Sequence, residues 1–231
     1  MSERELQSAS AASGLVAPDG SPVGLYALLP PDGEPELIHA AVPPGCAMLE
    51  LGCGAGRITH PLLALGHAVV AVDQSAAMLA HVRGAQTVLS DIETLDLGRR
   101  FPAVLLASQL VNTADDAQRA AFLQCCRRHL AADGVLLLQR YAPAWAETVT
   151  DFALAYLGVA IDFRLLGRDG RRFSAEIRYA APSGTWTQRF TARVLNDAEL
   201  AAELHAAGLA IHRLLDERGT WVLAGAGTPI G

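Results

Sequence analysis

The stretch "AMLELGCGAGRITHPLL" (47–63) decides the fold. An apolar run ends at Leu51, glycines follow at 52, 54 and 56, and a helical pattern begins after them. A strand that passes through a glycine-rich turn into a helix is built to receive a nucleotide or nucleoside. Glycine lets the backbone approach a ligand without a side chain in the way, and the helix start offers free N–H groups. Spacing separates the possible ligands. A phosphate loop of the GxxxxGK type needs a lysine, and none follows here. A nicotinamide fingerprint needs GxGxxG, and its third position falls on Arg57. The string is GxGxG instead, with Glu50 two residues ahead of Gly52.

Outward from this turn, continuous apolar runs alternate with helical patterns. "EPELIHAAV" (34–42) suits a short helix, broken by "PPG" (43–45). Strands are expected at 46–51, 67–73, 85–91, 101–108 and 135–141. Helices are expected at 56–66, at 75–84 with Ser75 as N-cap, and at 114–134 ending on Gly134. Apolar strands joined by helices predict a parallel sheet covered on both faces, a doubly wound α/β domain.

The pattern changes after residue 150. Segments 159–167, 171–180 and 185–194 alternate as strands, and the short turns "RDG" and "PSG" make them antiparallel. In the second, Phe173, Ala175, Ile177 and Tyr179 share one face, and Arg172, Ser174, Glu176 and Arg178 the other. A three-stranded meander with one apolar face is expected. A helix (197–208) and two strands (209–217 and 220–227) follow.

The string "LELGCGAGR" resembles the first motif of the class I S-adenosylmethionine-dependent methyltransferases. The resemblance continues in order along the chain. Asp73, in "VVAVDQS", stands at the end of the second strand, where that family holds the ribose hydroxyls with an acidic residue. "LSDIETLDL" offers Asp91 near the adenine amino group and Ile92 to pack on the ring. "FPAVLLASQLVNTADD" occupies the methyl-transfer region, and "HLAADGVLLLQR" matches the helix, turn and fifth strand. The likeness spans roughly 34–141, and 197–227 fits the family's terminal helix and strand pair. It implies a Rossmann-like, mainly parallel seven-stranded sheet with an inserted antiparallel meander. Residues 1–33 are then an extension or cap on a methyltransferase domain of 34–231, and 150–194 an insertion serving as substrate roof or dimer contact. The cofactor implied is S-adenosylmethionine, held by Glu50, Gly52, Cys53, Gly54, Gly56, Asp73, Gln74, Met78, Asp91, Ile92 and Ser108. Glu50 either holds the glycine loop or meets the ligand's amino group. Arg57 either meets its carboxylate or faces solvent.

Methyl transfer is a direct displacement that positioning and exclusion of water largely supply, and a base is needed only for a protonated nucleophile. Candidate positioning groups follow strands four and five: Ser108, Gln109 and Asn112, then Arg140 and Tyr141. Arg140 either holds a substrate anion or braces the meander. The chain has 231 residues, 51% of them apolar, and a net charge of −6. The acidic balance argues against a nucleic acid acceptor, as does the lack of an Asn/Asp-Pro-Pro-Tyr/Phe block after strand four. The four cysteines carry no zinc spacing. Asp115 and Asp116 are explained as a helix start, so no metal is expected. No apolar run reaches the roughly 18 residues of a membrane span, and the polar, acidic start does not read as a leader. A cytoplasmic monomer or homodimer is the expectation. The reading is a methyltransferase acting on an O or N of a small metabolite. Its alternatives are an S-adenosylmethionine enzyme that transfers no methyl, such as one cyclising the ligand's aminobutyryl chain, and a non-catalytic cofactor-binding subunit.

Overall fold

The computed structural model describes residues 15–156 and 158–227. Seven strands form one sheet in the order β10-β11-β5-β4-β1-β2-β3. They are β1 (Ala47–Leu51), β2 (Ala68–Asp73), β3 (Gln86–Leu89), β4 (Phe101–Leu106), β5 (Leu130–Gln139), β10 (Leu209–Leu214) and β11 (Trp221–Ala226). β1 to β5 run parallel, and β11 lies antiparallel to both β5 and β10. The doubly wound seven-stranded sheet expected from the sequence is present.

Side-chain alternation along the strands divides the core into two layers. Leu49, Leu51, Val104 and Leu106 face the helices Asp116–His129 and Asp197–Ala206, packing on Phe122, Leu123, Leu200 and Leu204. Met48, Ala71, Ala103 and Leu105 face the other way, onto Ile38 of helix Glu34–Ala41 and Leu62 of helix Thr59–Ala64. Both faces are covered, which is why these strands read as continuous apolar runs. Glu50 lies between Met48 and the glycine turn on that second face, a carboxyl in an apolar layer.

Several boundaries differ from expectation, each for a local reason. The second helix starts at Thr59, because Gly56 has φ +88°, outside the right-handed helical region. The third stops at Leu79, and the Arg83 N–H bonds His60 Nε2 at 3.0 Å instead of continuing the helix. The long helix ends at His129 and β5 begins at Leu130, five residues early. Leu130 pairs with Phe101, and Gly134 sits inside the strand at a register shift, where a Cβ would lie 3.0 Å from the carbonyls of Phe101 and Pro102. Gly134 is therefore a close-approach glycine rather than a helix stop.

The insertion is a four-stranded antiparallel sheet, β6 (Phe152–Tyr156), β7 (Val159–Asp169), β8 (Arg172–Ala181) and β9 (Gly184–Arg193), in that order. The expected meander is β7 to β9, and β6 is an added edge. Phe163, Phe173, Ala175, Ala192 and Val194 form its own apolar layer, with Tyr141 and Trp145 packed against it. At the other end of the chain, residues 15–27 form a strap. Its Ala17 and Val23 pack on Ala55 of the glycine turn and Met78 of the helix Ala76–Leu79. The first 14 residues of the expected extension lie outside the described residues. No helix among the described residues is long and apolar enough to cross a membrane.

Candidate functional site

In a parallel sheet whose order reverses between β1 and β4, the carboxyl ends of those two strands splay apart and leave a crevice. A cavity of about 560 Å³ opens there, within the range of small-molecule sites. The sheet supplies its floor, the strap one wall, and β8 and β9 its roof.

The glycine turn forms the floor beneath β1. Gly52 has φ +70°, and a Cβ on it would meet Leu110 Cδ1 at 2.5 Å. The left-handed backbone favours glycine here, and the missing Cβ leaves room for the Leu110 side chain. Gly54 has φ +55° and nothing within 4 Å of a Cβ position, so its bare backbone borders open cavity. Its N–H donates to Asp73 Oδ2 at 2.8 Å, and the Ser75 N–H donates to Asp73 Oδ1 at 2.8 Å. Asp73 is thus fixed at the end of β2 by one backbone donor on each oxygen and still lines the cavity. Burial pushes its carboxyl up, against the pull of the Ser75 and Gly54 N–H groups. Ser75 caps the next helix by accepting from the Met78 N–H at 3.3 Å.

Glu50 also reaches the cavity. Burial pushes its carboxyl up to about 7, despite the Thr59 hydroxyl donating to Oε2 at 2.6 Å. Arg57 lines the cavity too, its Nη1 2.5 Å from Glu34 Oε1. Burial alone would raise the Glu34 carboxyl, but Arg57 and the Asp32 N–H outweigh it and hold it low. Cys53 lines the floor, and burial pushes its thiol well up, so it is no nucleophile.

The turn after β4 is strained. Ser108 and Gln109 both adopt left-handed backbone, φ +53° and +57°, at about 1–3 kcal/mol each for non-glycine residues. The Ser108 N–H donates to Gln139 Oε1 at 2.7 Å, which holds the turn from β5. Asn112 is buried and bonded at both ends of its amide. It donates to the Arg193 carbonyl and accepts from the Tyr141 N–H, each at 2.8 Å. It joins the sheet to the roof. Tyr141 stacks on Trp145 at 4.7 Å, and burial pushes its phenol up.

Of the residues singled out from the sequence, Glu50, Gly52, Cys53, Gly54, Asp73, Gln74, Met78, Ile92, Ser108, Gln109, Asn112 and Tyr141 all line this cavity. Three do not. Gly56 turns away, and its Cβ position lies 2.7 Å from the His60 ring, so its role is in packing. Asp91 is exposed beside the lining residues Ser90 and Ile92. Arg140 is fully buried elsewhere. Its Nε donates to the Gly219 carbonyl at 2.8 Å, its Nη1 to the Leu195 carbonyl at 3.3 Å, and its Nη2 pairs with Asp197. With those donors committed, Arg140 is a brace between β5, the turn before β11 and the start of helix Asp197–Ala206. Asp115 caps its helix through the N–H groups of Ala117 and Gln118.

The structure adds Asp19, Ser21, Tyr179, Gln188 and Phe190 to the lining, and seats Tyr26 in the strap wall. Gln188 links the strap to the roof, accepting from Tyr26 Oη at 3.3 Å and donating to Ser21 Oγ at 3.2 Å. One signal for it was in the sequence: β9 puts a glutamine between Trp186 and Phe190 on an apolar face, where a polar residue calls for a partner. No such signal marked Asp19 or Ser21.

A family profile described as a methyltransferase domain matches residues 48–134. The ubiquinone biosynthesis O-methyltransferase of Bradyrhizobium sp. (strain ORS 278) is 32% identical over 138 residues, covering 56% of this chain and 52% of that protein. The protein of the same name from Azorhizobium caulinodans is 28% identical over 194 residues, covering 78% and 67%. The chain thus spans about half the length of the first of these relatives. A solved S-adenosylmethionine-dependent methyltransferase of Clostridium acetobutylicum superposes with a TM-score of 0.73 at 17% identity, over 88% of this chain and 95% of that one. The CcbJ methyltransferase of Streptomyces caelestis gives 0.72 at 22%, over 87% and 92%. These two likenesses concern the fold. Residues 48–134 thus match a methyltransferase domain, and the sheet that carries them has the Rossmann-like fold of solved S-adenosylmethionine-dependent methyltransferases.

Proposed function

We propose that the protein transfers the methyl group of S-adenosylmethionine to an oxygen or nitrogen of a small molecule. The observation that carries this is the continuity of one cavity from the Gly54–Asp73 floor to the tyrosine-lined roof. The floor fits the cofactor: bare backbone at Gly54, and a carboxylate at Asp73 fixed for a vicinal diol. When bound, S-adenosylmethionine supplies an electrophilic methyl on a sulfonium. Asp73 binds the ribose hydroxyls, Met78 and Ile92 pack on the base, and Glu50 and Arg57 stand ready for the amino acid end. The strained Ser108–Gln109 turn shapes the wall between cofactor and acceptor. Tyr26, Tyr141 and Tyr179 close the acceptor end and exclude water, leaving transfer to positioning.

Among the described lining residues there is no histidine, and transfer is assigned to positioning rather than to an imidazole base. The names of related proteins support a small acceptor without fixing its atom, since they include O-methyltransferases and a glycopeptide N-methyltransferase. The test is calorimetric titration with S-adenosylmethionine and S-adenosylhomocysteine, with NAD as control, followed by methyl-labelled turnover. Asp73→Ala removes a charge-assisted acceptor and weakens cofactor binding by about 1–3 kcal/mol. Unchanged affinity in the folded variant would refute the assignment.

A further inference from the structure

β9 is an edge strand, bonded along one side to β8. Five consecutive residues, 188–192, line the cavity. Side chains on a strand alternate, so a continuous lining run requires that the backbone edge itself face the cavity. The bonding pattern shows which groups do. The Val194 N–H donates to the Arg171 carbonyl at 2.9 Å on the β8 side, which sets the even-numbered residues of β9 toward β8. The Arg193 carbonyl accepts from Asn112 Nδ2 on the opposite side, which sets the backbone groups of the odd-numbered residues away from β8. Gln188, Phe190 and Ala192 therefore contribute side chains, and Arg189 and Thr191 contribute backbone. The side chains of these last two point to the outer face, where Arg189 Nε meets Glu176 Oε2 at 2.6 Å and Thr191 Oγ1 meets Ser174 Oγ at 2.8 Å.

The edge is closed at both ends. At one end Thr113 bridges Ala192. At the other the strap bonds Gln188 through Ser21 and Tyr26, and Gly24 packs under Trp186. Strap and edge share no backbone hydrogen bond among the described residues. A window centred on Arg189, itself a lining residue, is left, with its N–H and C=O on the side of β9 turned away from β8.

We infer that the acceptor carries a secondary amide, and that its N–H and C=O pair with the backbone of Arg189 as an added strand would. Strand addition gives affinity through main-chain bonds that read amide spacing and ignore side chains. An apolar acceptor would leave these edge groups unpaired on entry, whereas a secondary amide offers one donor and one acceptor at the spacing of a neighbouring strand. The amide becomes the anchor that sets the nucleophile against the cofactor floor, and specificity falls to the tyrosine end. This rests on the methyltransferase reading above.

The test uses the full chain loaded with S-adenosylhomocysteine and a diamide probe, N-acetyl-L-alanine N-methylamide, at millimolar concentration. Its partner probe, O-acetyl-L-lactic acid N-methylamide, puts an ester oxygen where the alanine N–H stands. Amide NMR signals are followed. The expected result is a shift of the Arg189 and Thr191 N–H signals with the diamide and at least fivefold weaker binding of the ester. Arg189→Pro deletes an N–H that takes no part in the β8 ladder, so the sheet tolerates it, and this variant loses the diamide response while still binding S-adenosylhomocysteine. Equal binding of the two probes, an undiminished response in Arg189→Pro, or no probe binding by the loaded protein would each overturn the inference and leave the methyltransferase reading intact. A protein that binds no S-adenosylhomocysteine would overturn that reading, and this inference with it.

Discussion

Glu50 shows how one residue couples folding to the site. It belongs by alternation to an apolar layer, yet it carries a carboxyl that borders the cavity. Burial raises its pKa from 4.5 to about 7. Below pH 4.5 the group is neutral in the folded and the unfolded chain alike. Between 4.5 and 7 the folded protein keeps a proton that the unfolded chain has lost, so stability falls as pH rises through that window and levels off above it. Glu50→Gln removes the slope. Its stability relative to the parent is expected to rise from pH 5 to pH 8, by on the order of 3 kcal/mol at most. Urea unfolding of both proteins at four pH values measures this, and a constant difference would refute it. At this scale the sequence was most legible where chemistry and spacing coincide. The GxGxG turn and Asp73 announce themselves because few other residues can serve a close backbone approach and a diol. Arg140 was illegible because a guanidinium fits an anion and a set of carbonyls equally well, and only the fold says which it meets.

Elements were legible by their period and illegible at their ends. "HLAADG" is rich in helix-favouring residues, and the helix was expected to run through it. Pairing of Leu130 with Phe101 overrides that preference and starts β5 early. β6 was missed for a similar reason: a short alternating segment at an edge carries no more signal than a loop. Arg140 belongs to this scale in its effect, since it ties β5 to the turn at Gly219 and to the start of helix Asp197–Ala206. Arg140→Met keeps the bulk and strands two buried carbonyls, those of Gly219 and Leu195. At about 1–3 kcal/mol for an unsatisfied buried group, and with the Asp197 carboxylate free to turn to water, the loss of stability is expected to be about 2–4 kcal/mol. Because Arg140 stays outside the cavity, affinity for S-adenosylhomocysteine at 20 °C is expected to change less than threefold. Thermal unfolding and titration separate the two, and a large loss of affinity without loss of stability would return Arg140 to the site.

The whole molecule joins three pieces that the sequence keeps far apart. The sheet carries the floor, the insertion the roof, and the strap the remaining wall. No periodicity in residues 15–27 announced that wall, because its contacts are made one residue at a time: Ala17 and Val23 on Ala55 and Met78, Tyr26 on Gln188. The two core layers of the sheet include none of these strap residues. Deleting residues 1–27 is therefore expected to leave a cooperatively folding domain with a Tm lower by several degrees, since Val23 and Leu25 lose their burial. The cavity loses the Asp19, Ser21 and Tyr26 wall, and Met78 is laid open. Water then reaches the floor, and affinity for S-adenosylhomocysteine is expected to fall at least tenfold, chiefly through faster release. Stopped-flow displacement with calorimetry measures both terms. Unchanged affinity in the truncated protein would make the strap a passive cover, and loss of cooperative unfolding would make it part of the fold itself.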